Sequence, residues 1–225
     1  GEEGQGFVNT LQVLDAGRIG IAALSVGLAQ GAYEAARDYA RERRQFGQPI
    51  ASFGAIKHKI GEMVVRTYAI ESLLYRTAGL VDARIDATPH DATDGGPALA
   101  AFEEYAVEAS IAKVAGSEAL NYVLDENIQI HGGNGYVRDY PAERHFRDAR
   151  VNRIFEGTNE INRLLIPGML IRRAVKGDLP LIPAAKLRPV GPRTTATPPV
   201  MYSQPWSPTP STTVCTPELR TAKRS

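Results

Sequence analysis

The sequence predicts an all-α protein, an antiparallel bundle of the four-helix type. Three observations carry this. Long segments repeat apolar residues at spacings of three and four. Stretches containing Gly and Pro punctuate them. No segment shows the strict apolar–polar alternation of a half-buried strand. Helices with apolar faces of this kind are stable only when those faces are buried against one another.

The first helix is predicted over 18–44. Ile19, Ala22, Val26, Ala29, Tyr33, Ala36 and Ala40 form one stripe, and Ile21, Leu24, Leu28, Ala32, Ala35 and Tyr39 an offset second one. A helix apolar on two sides is buried between neighbours, and its many Ala and Gly residues let those neighbours come close. Phe46-Gly47-Gln48-Pro49 ends it, because Pro49 cannot continue the hydrogen-bond ladder. A second helix, 52–84, carries Ile56, Ile60, Met63, Thr67, Ile70, Leu74 and Val81 on one face. A polar loop over 86–96 follows, and Pro97 suits the first turn of a third helix reaching 128. Its stripe is Phe102, Tyr105, Ala109, Ala112, Gly116, Ala119 and Val123. A short helix is expected over 141–148 and a last one over 158–176. Thr158 is its N-cap and Gly177 lies just past its end. Pro167 should kink this last helix by removing one ladder bond.

The domain reading is a linker over 1–15, the bundle over 16–187 and a tail over 188–225. The tail is rich in Pro, Thr and Ser and has almost no apolar period. Such a segment buries too little surface to offset its ordering entropy. A disordered tail and the product of a shifted reading frame both fit it.

Composition narrows the function. The 26 basic and 25 acidic residues nearly cancel, so no global field draws nucleic acid or an anionic membrane. The lone Cys215 excludes an internal disulfide framework and a Cys-based metal site. His58, His90, His131 and His145 have no metal-ligand spacing, so no metal is expected. No uninterrupted run of ~18 apolar residues is present, so no transmembrane segment is expected. The first residue is Gly rather than Met, and residues 1–6 have no apolar core of a signal peptide, which suggests a fragment.

Four stretches stand out chemically. Glu156 lies between Ile154-Phe155 and Gly157, just before a helix start. A carboxylate held against apolar neighbours has its charged form destabilised, which suits a general base working near neutrality. An ordinary acid at a helix N-terminus also fits. The three glycines of His131-Gly132-Gly133-Asn134-Gly135 expose backbone amides suited to a nucleotide or its phosphates, and a plain helix-ending loop fits as well. No Lys-Ser/Thr follows, so it is not a P-loop. In Asp15-Ala16-Gly17-Arg18 an Arg at a helix start opposes the helix dipole and invites an anionic partner. Arg43 and Arg44, in Arg43-Arg44-Gln45-Phe46-Gly47, sit at a helix end, where cations are favoured anyway.

These stretches in this order, together with Arg147-Asp148-Ala149-Arg150 and Phe155-Glu156-Gly157-Thr158-Asn159-Glu160-Ile161, resemble the acyl-CoA dehydrogenase family over residues 4 to about 185. Ser52-Phe53-Gly54 and Phe155-Glu156-Gly157-Thr158 look closest to its very-long-chain branch and bacterial relatives. The resemblance implies the C-terminal helical domain of a larger FAD flavoprotein. Residues 1–15 would then link to a β-domain that this chain lacks. It implies dehydrogenation of a fatty acyl-CoA thioester to the trans-2-enoyl-CoA, as in fatty acid β-oxidation. Glu156 removes the α-proton and hydride passes to flavin N5. The thioester carbonyl is polarised by the Glu156 N–H and a ribityl hydroxyl. It implies substrate contacts for Asp15, Gly17, Arg18 and Gly157. Arg43 and Gln45 match groups at the FAD pyrophosphate of a neighbouring subunit. Gln129, Ile130, His131, Gly132 and Gly133 match the loop at the adenosine end of that FAD, and Thr158, Asn159 and Glu160 lie near the chain's own FAD. Site sharing implies a homodimer or homotetramer. The implied electron acceptor is an electron-transferring flavoprotein, and the implied location a bacterial cytoplasm or the mitochondrial matrix. An acyl-CoA oxidase, which passes electrons to oxygen, and a non-catalytic helical oligomerisation fragment are the alternatives.

Overall fold

The computed structural model describes residues 3–4, 6–89, 95–181 and 183–184 of the 225. The predicted tail, Cys215, His90 and most of the loop after residue 89 lie outside them. Helix α1 spans Gly6–Glu42 and α2 spans Gly54–Asp86, with α3 at Gly96–Glu104 and α4 at Ala106–His131. Short α5 covers Ala142–Ala149, and α6 covers Asn159–Lys176. Gly1–Ile182 forms one compact unit, and the chain from Pro183 belongs to a second.

Helix α1 starts at Gly6, well before the expected Arg18. No Pro interrupts Phe7 to Ala16, so nothing local stops the helix there. By length and mean hydropathy, Val13–Glu42 could cross a membrane, which counting uninterrupted apolar residues did not reveal. In the fold this stretch packs against α4 and α2. Its Ala29, Ala32, Ala36 and Ala40 are buried in a core shared with Met63 and Ile70 of α2 and with Leu120, Val123, Leu124 and Ile130 of α4.

Pairs of residues set the helix directions. Lys59 pairs with Glu126 and Arg66 lies over the Tyr122 ring at 3.9 Å, so α2 and α4 are antiparallel, and Arg84 near the end of α2 meets Glu104 of α3 at 2.7 Å. Arg18 reaches Ser110, Gly116 abuts Ala22 and Ser25, and Asn134 donates to the Tyr39 hydroxyl. Helices α1 and α4 therefore run parallel, which follows when consecutive long helices alternate in direction. A Cβ on Gly116 would stand 3.4 Å from the Ala22 Cα. The small residues bring the two backbones together as the sequence suggested.

Two local features differ from the sequence reading. Arg44–Gln45 (β1) and Gln48–Pro49 (β2) pair as a two-residue hairpin where a loop was expected. Its turn residues Phe46 and Gly47 have φ of 52° and 81°, the geometry that matches strand twist in tight hairpins. The third helix is two, broken at Tyr105 (φ −98°, ψ 20°). The break releases the carbonyls of Glu103 and Glu104, and Arg173 of α6 caps both, at 3.1 and 2.5 Å. A partner this far along the chain leaves no local trace. Helix α6 matches its predicted ends. The Thr158 hydroxyl accepts from the Ile161 N–H at 3.2 Å, and Gly177 takes φ 88°. The helix continues through Pro167.

Candidate active site

Between α5 and α6 the chain makes a 3₁₀ turn at Arg150–Arg153 and then reverses through Glu156 and Gly157, at φ 55° and 76°. A left-handed residue with a side chain costs about 1–3 kcal/mol and persists only where its surroundings enforce it. Two buried donors do so here. The Asn162 amide of α6 lies 3.4, 2.7 and 3.2 Å from the carbonyls of Glu156, Gly157 and Thr158. The Lys113 ammonium of α4 donates to the Gly157 carbonyl and to Asn159 Oδ1, both at 2.8 Å.

The turn drives the Glu156 carboxylate onto the face of α1. A Cβ on Gly17 would meet Glu156 Oε2 at 2.7 Å, so glycine leaves the room that the carboxylate occupies. Oε2 is buried and has no hydrogen-bond partner among the described residues. A buried, unpaired carboxylate oxygen is costly to maintain. Arg18, the next residue of α1, is 8% exposed and bonds to Asp15 at 2.5 Å and Ser110 at 3.3 Å. Burial pushes the Asp15 carboxyl above its usual range, against the opposing pull of Arg18. The expected shelter from Ile154 and Phe155 is not what encloses Glu156. Their side chains are 55% and 38% exposed, and helix α1 supplies the wall instead.

Sequence reasoning missed Lys113 and Asn162. Lys113 is fully buried, and burial is the main reason its pKa is pushed down to about 8; Arg18 adds to this, while Glu160 and Glu156 oppose it. The signal was present: Lys113 is four residues from Ala109 and three from Gly116, so a charge sits within an apolar stripe. Asn159 is also buried, its amide committed to Lys113, Ser117 and Glu118. Thr158 caps α6 beside it, and Glu160 is exposed in the first turn.

The second group of predicted residues gathers at the other end of the α1–α4 pair. A cleft of about 350 Å³ is lined by Arg43, Gln45, Ile130, His131, Gly132 and Gly133, together with Tyr39, Ile50 and Asn134. Gln129 is exposed, and its carbonyl accepts the Gly132 N–H. Arg44 turns back onto the Gly47 carbonyl at 3.2 Å, and Arg43 is the guanidinium lining the cleft. Gly132 and Gly133 have open space where a Cβ would stand, so their backbone is accessible. At 1.5 Å per residue, Gly17 and Tyr39 lie roughly 33 Å apart along α1. Among the described residues, no three His, Cys, Asp or Glu side chains converge as metal ligands.

His131 stacks on Tyr39 at 4.1 Å, and its Nδ1–H donates to the Asn127 carbonyl at 2.8 Å. Burial lowers its pKa, outweighing the opposite pull of that carbonyl. The unfolded chain then binds more protons than the folded one as pH falls through about 6.5, so stability drops with it. The stability difference between the natural protein and His131→Gln is expected to shrink between pH 7 and 5 in urea melts.

Residues 4–170 match the family described as acyl-CoA dehydrogenase, C-terminal domain. A probable acyl-CoA dehydrogenase of Bacillus subtilis is 46% identical over 187 residues, which is 83% of this chain and 32% of that protein. A caffeyl-CoA reductase–Etf complex subunit of Acetobacterium woodii is 40% identical over 173 residues, 77% of this chain and 41% of its own length. The structure superposes on an acyl-CoA dehydrogenase complexed with FAD from Bacillus anthracis with a TM-score of 0.81 and 47% identity, covering 83% of this chain and 32% of that one. The chain thus spans about a third to two-fifths of the length of these proteins.

Proposed function

The chain belongs to the acyl-CoA dehydrogenase family, as its C-terminal domain, and from that premise we propose that it carries the general base and part of the flavin site of an enzyme that oxidises acyl-CoA thioesters. The observation that carries the proposal is the Glu156 carboxylate, held on a left-handed turn with Oε2 buried against Gly17 and unpaired. A base for carbon acids needs this: an oxygen kept from water and from competing donors, close to where a substrate carbon can be placed.

In this reading the Glu156 carboxylate removes the α-proton of the thioester. The Glu156 N–H donates to the thioester oxygen as negative charge develops there. Arg18, with Asp15 and Gly17, and Gly157 contact the acyl-CoA. The far cleft suits a dinucleotide. Arg43 supplies a cation for a pyrophosphate, Gln45 adds a hydrogen-bonding side chain, and Gly132 and Gly133 offer open backbone. The loop from Gln129 to Gly133 would hold the adenosine end. Thr158, Asn159 and Glu160 would lie near a flavin beside Glu156, with Asn159 contributing through its backbone. FAD, when bound, supplies the acceptor for the β-hydride.

The two groups sit at opposite ends of one parallel helix pair. That arrangement supports two flavins shared between subunits, and hence a homodimer or homotetramer. The likeness to a subunit of an Etf complex supports an electron-transferring flavoprotein as acceptor. The test is direct. The complete protein is expected to purify yellow with FAD and to bleach anaerobically on addition of a saturated acyl-CoA. A protein that stays colourless after incubation with FAD would end this reading.

A further inference from the structure

Lys113 has no evident reason to be where it is if stability alone is considered. Its ammonium is fully buried and lies at the start of α6, bonded to Gly157 and Asn159. The helix dipole disfavours a cation at that end. Arg18 adds like-charge repulsion, and burial lowers the pKa to about 8. An apolar side chain of similar volume in such a place is often neutral or stabilising. What the ammonium does hold is the carbonyl of the residue after Glu156. That carbonyl takes one hydrogen bond from Lys113 and one, at 2.7 Å, from Asn162.

We propose that Lys113 is a positioning residue for the base: through the Gly157 carbonyl it holds the Glu156–Gly157 turn left-handed and so fixes where the Glu156 carboxylate points. The inference rests on the reading of Glu156 as the base. The charged groups around this turn are Asp15 and Arg18 on α1, Lys113 on α4, Arg153 in the preceding 3₁₀ turn and Glu160 on α6. Of these, Lys113 is bonded to the turn's backbone. Without it, φ at Glu156 relaxes and the carboxylate leaves its place against Gly17.

The test uses the complete, flavin-loaded protein with Lys113→Met, Lys113→Gln and, in parallel, Glu156→Gln. Lys113→Met is expected to melt at the natural temperature or above, to keep its flavin and to bind acyl-CoA as before. Flavin reduction in it should fall about 10²-fold, the scale of a 1 Å misplacement. Lys113→Gln, a neutral donor one bond shorter, should recover part of that rate. A crystal structure of Lys113→Met should show Glu156 out of the left-handed region. Glu156 remaining at positive φ against Gly17, or natural reduction rates in Lys113→Met, overturns the inference. So does failure of both Lys113 variants to fold, which marks the residue as structural. If Glu156→Gln itself reduces flavin normally, it is the base assignment that falls.

Discussion

Glu156→Gln is expected to slow anaerobic flavin reduction by acyl-CoA by at least about 10²-fold, within the range that a positioned base contributes. The amide is nearly isosteric with the carboxylate and cannot accept the α-proton. Because Glu156 Oε2 has no partner among the described residues, no hydrogen bond at that oxygen is lost. The turn is held through backbone carbonyls by hydrogen bonds from Lys113 and Asn162, which do not depend on the carboxylate as an acceptor. Flavin content, melting temperature and thioester affinity should therefore stay close to those of the natural protein. Stopped-flow bleaching measures the rate, and the flavin spectrum on ligand addition measures binding. Near-natural bleaching would remove Glu156 from the mechanism.

Gly17→Ala makes a sharper separation, because stability and activity are expected to move in opposite directions. Gly17 lies inside α1, where alanine is favoured over glycine by roughly 0.5–1 kcal/mol. Its new methyl group would stand 2.7 Å from Glu156 Oε2. The carboxylate is the end of a flexible side chain, so it swings aside while both backbones stay put. The variant should melt at the same temperature or slightly higher, yet reduce its flavin about 10²-fold more slowly. Thermal melts and single-turnover bleaching decide it. Loss of both stability and rate would mean that the methyl displaced α1 rather than the carboxylate.

The sequence revealed those parts of the molecule whose cause is local. Thr158 and Gly177 bound α6 because a cap hydroxyl and a left-handed glycine act within one turn. The first stripe of α1 and the stripe of α2 showed which faces are buried, since periodicity follows from helix geometry alone, whereas the offset second stripe of α1 is only partly covered, with Leu24 47% exposed. The break at Tyr105 did not show, because the apolar phase from Phe102 to Ala109 continues across it and its cap comes from Arg173. Site residues follow the same rule. Glu156, Gly157 and the glycines after His131 stood out as unusual local strings. The roles of Gly17 and Lys113 depend on contacts across the bundle. Ile154 and Phe155 misled because adjacency in the chain is not enclosure in space.

The parallel contact between α1 and α4 has a consequence for how this architecture can vary. Along that seam, Ala22 and Ser25 face Gly116 at near-contact. A bulkier residue at Gly116 would act as a wedge, prising the helices apart at mid-length. Both ends would then splay together, one moving Gly17 away from Glu156, the other opening the cleft between Arg43 and His131. With that seam set between them, the two stations are expected to respond together to a change at Gly116, the one losing its carboxylate wall as the other widens.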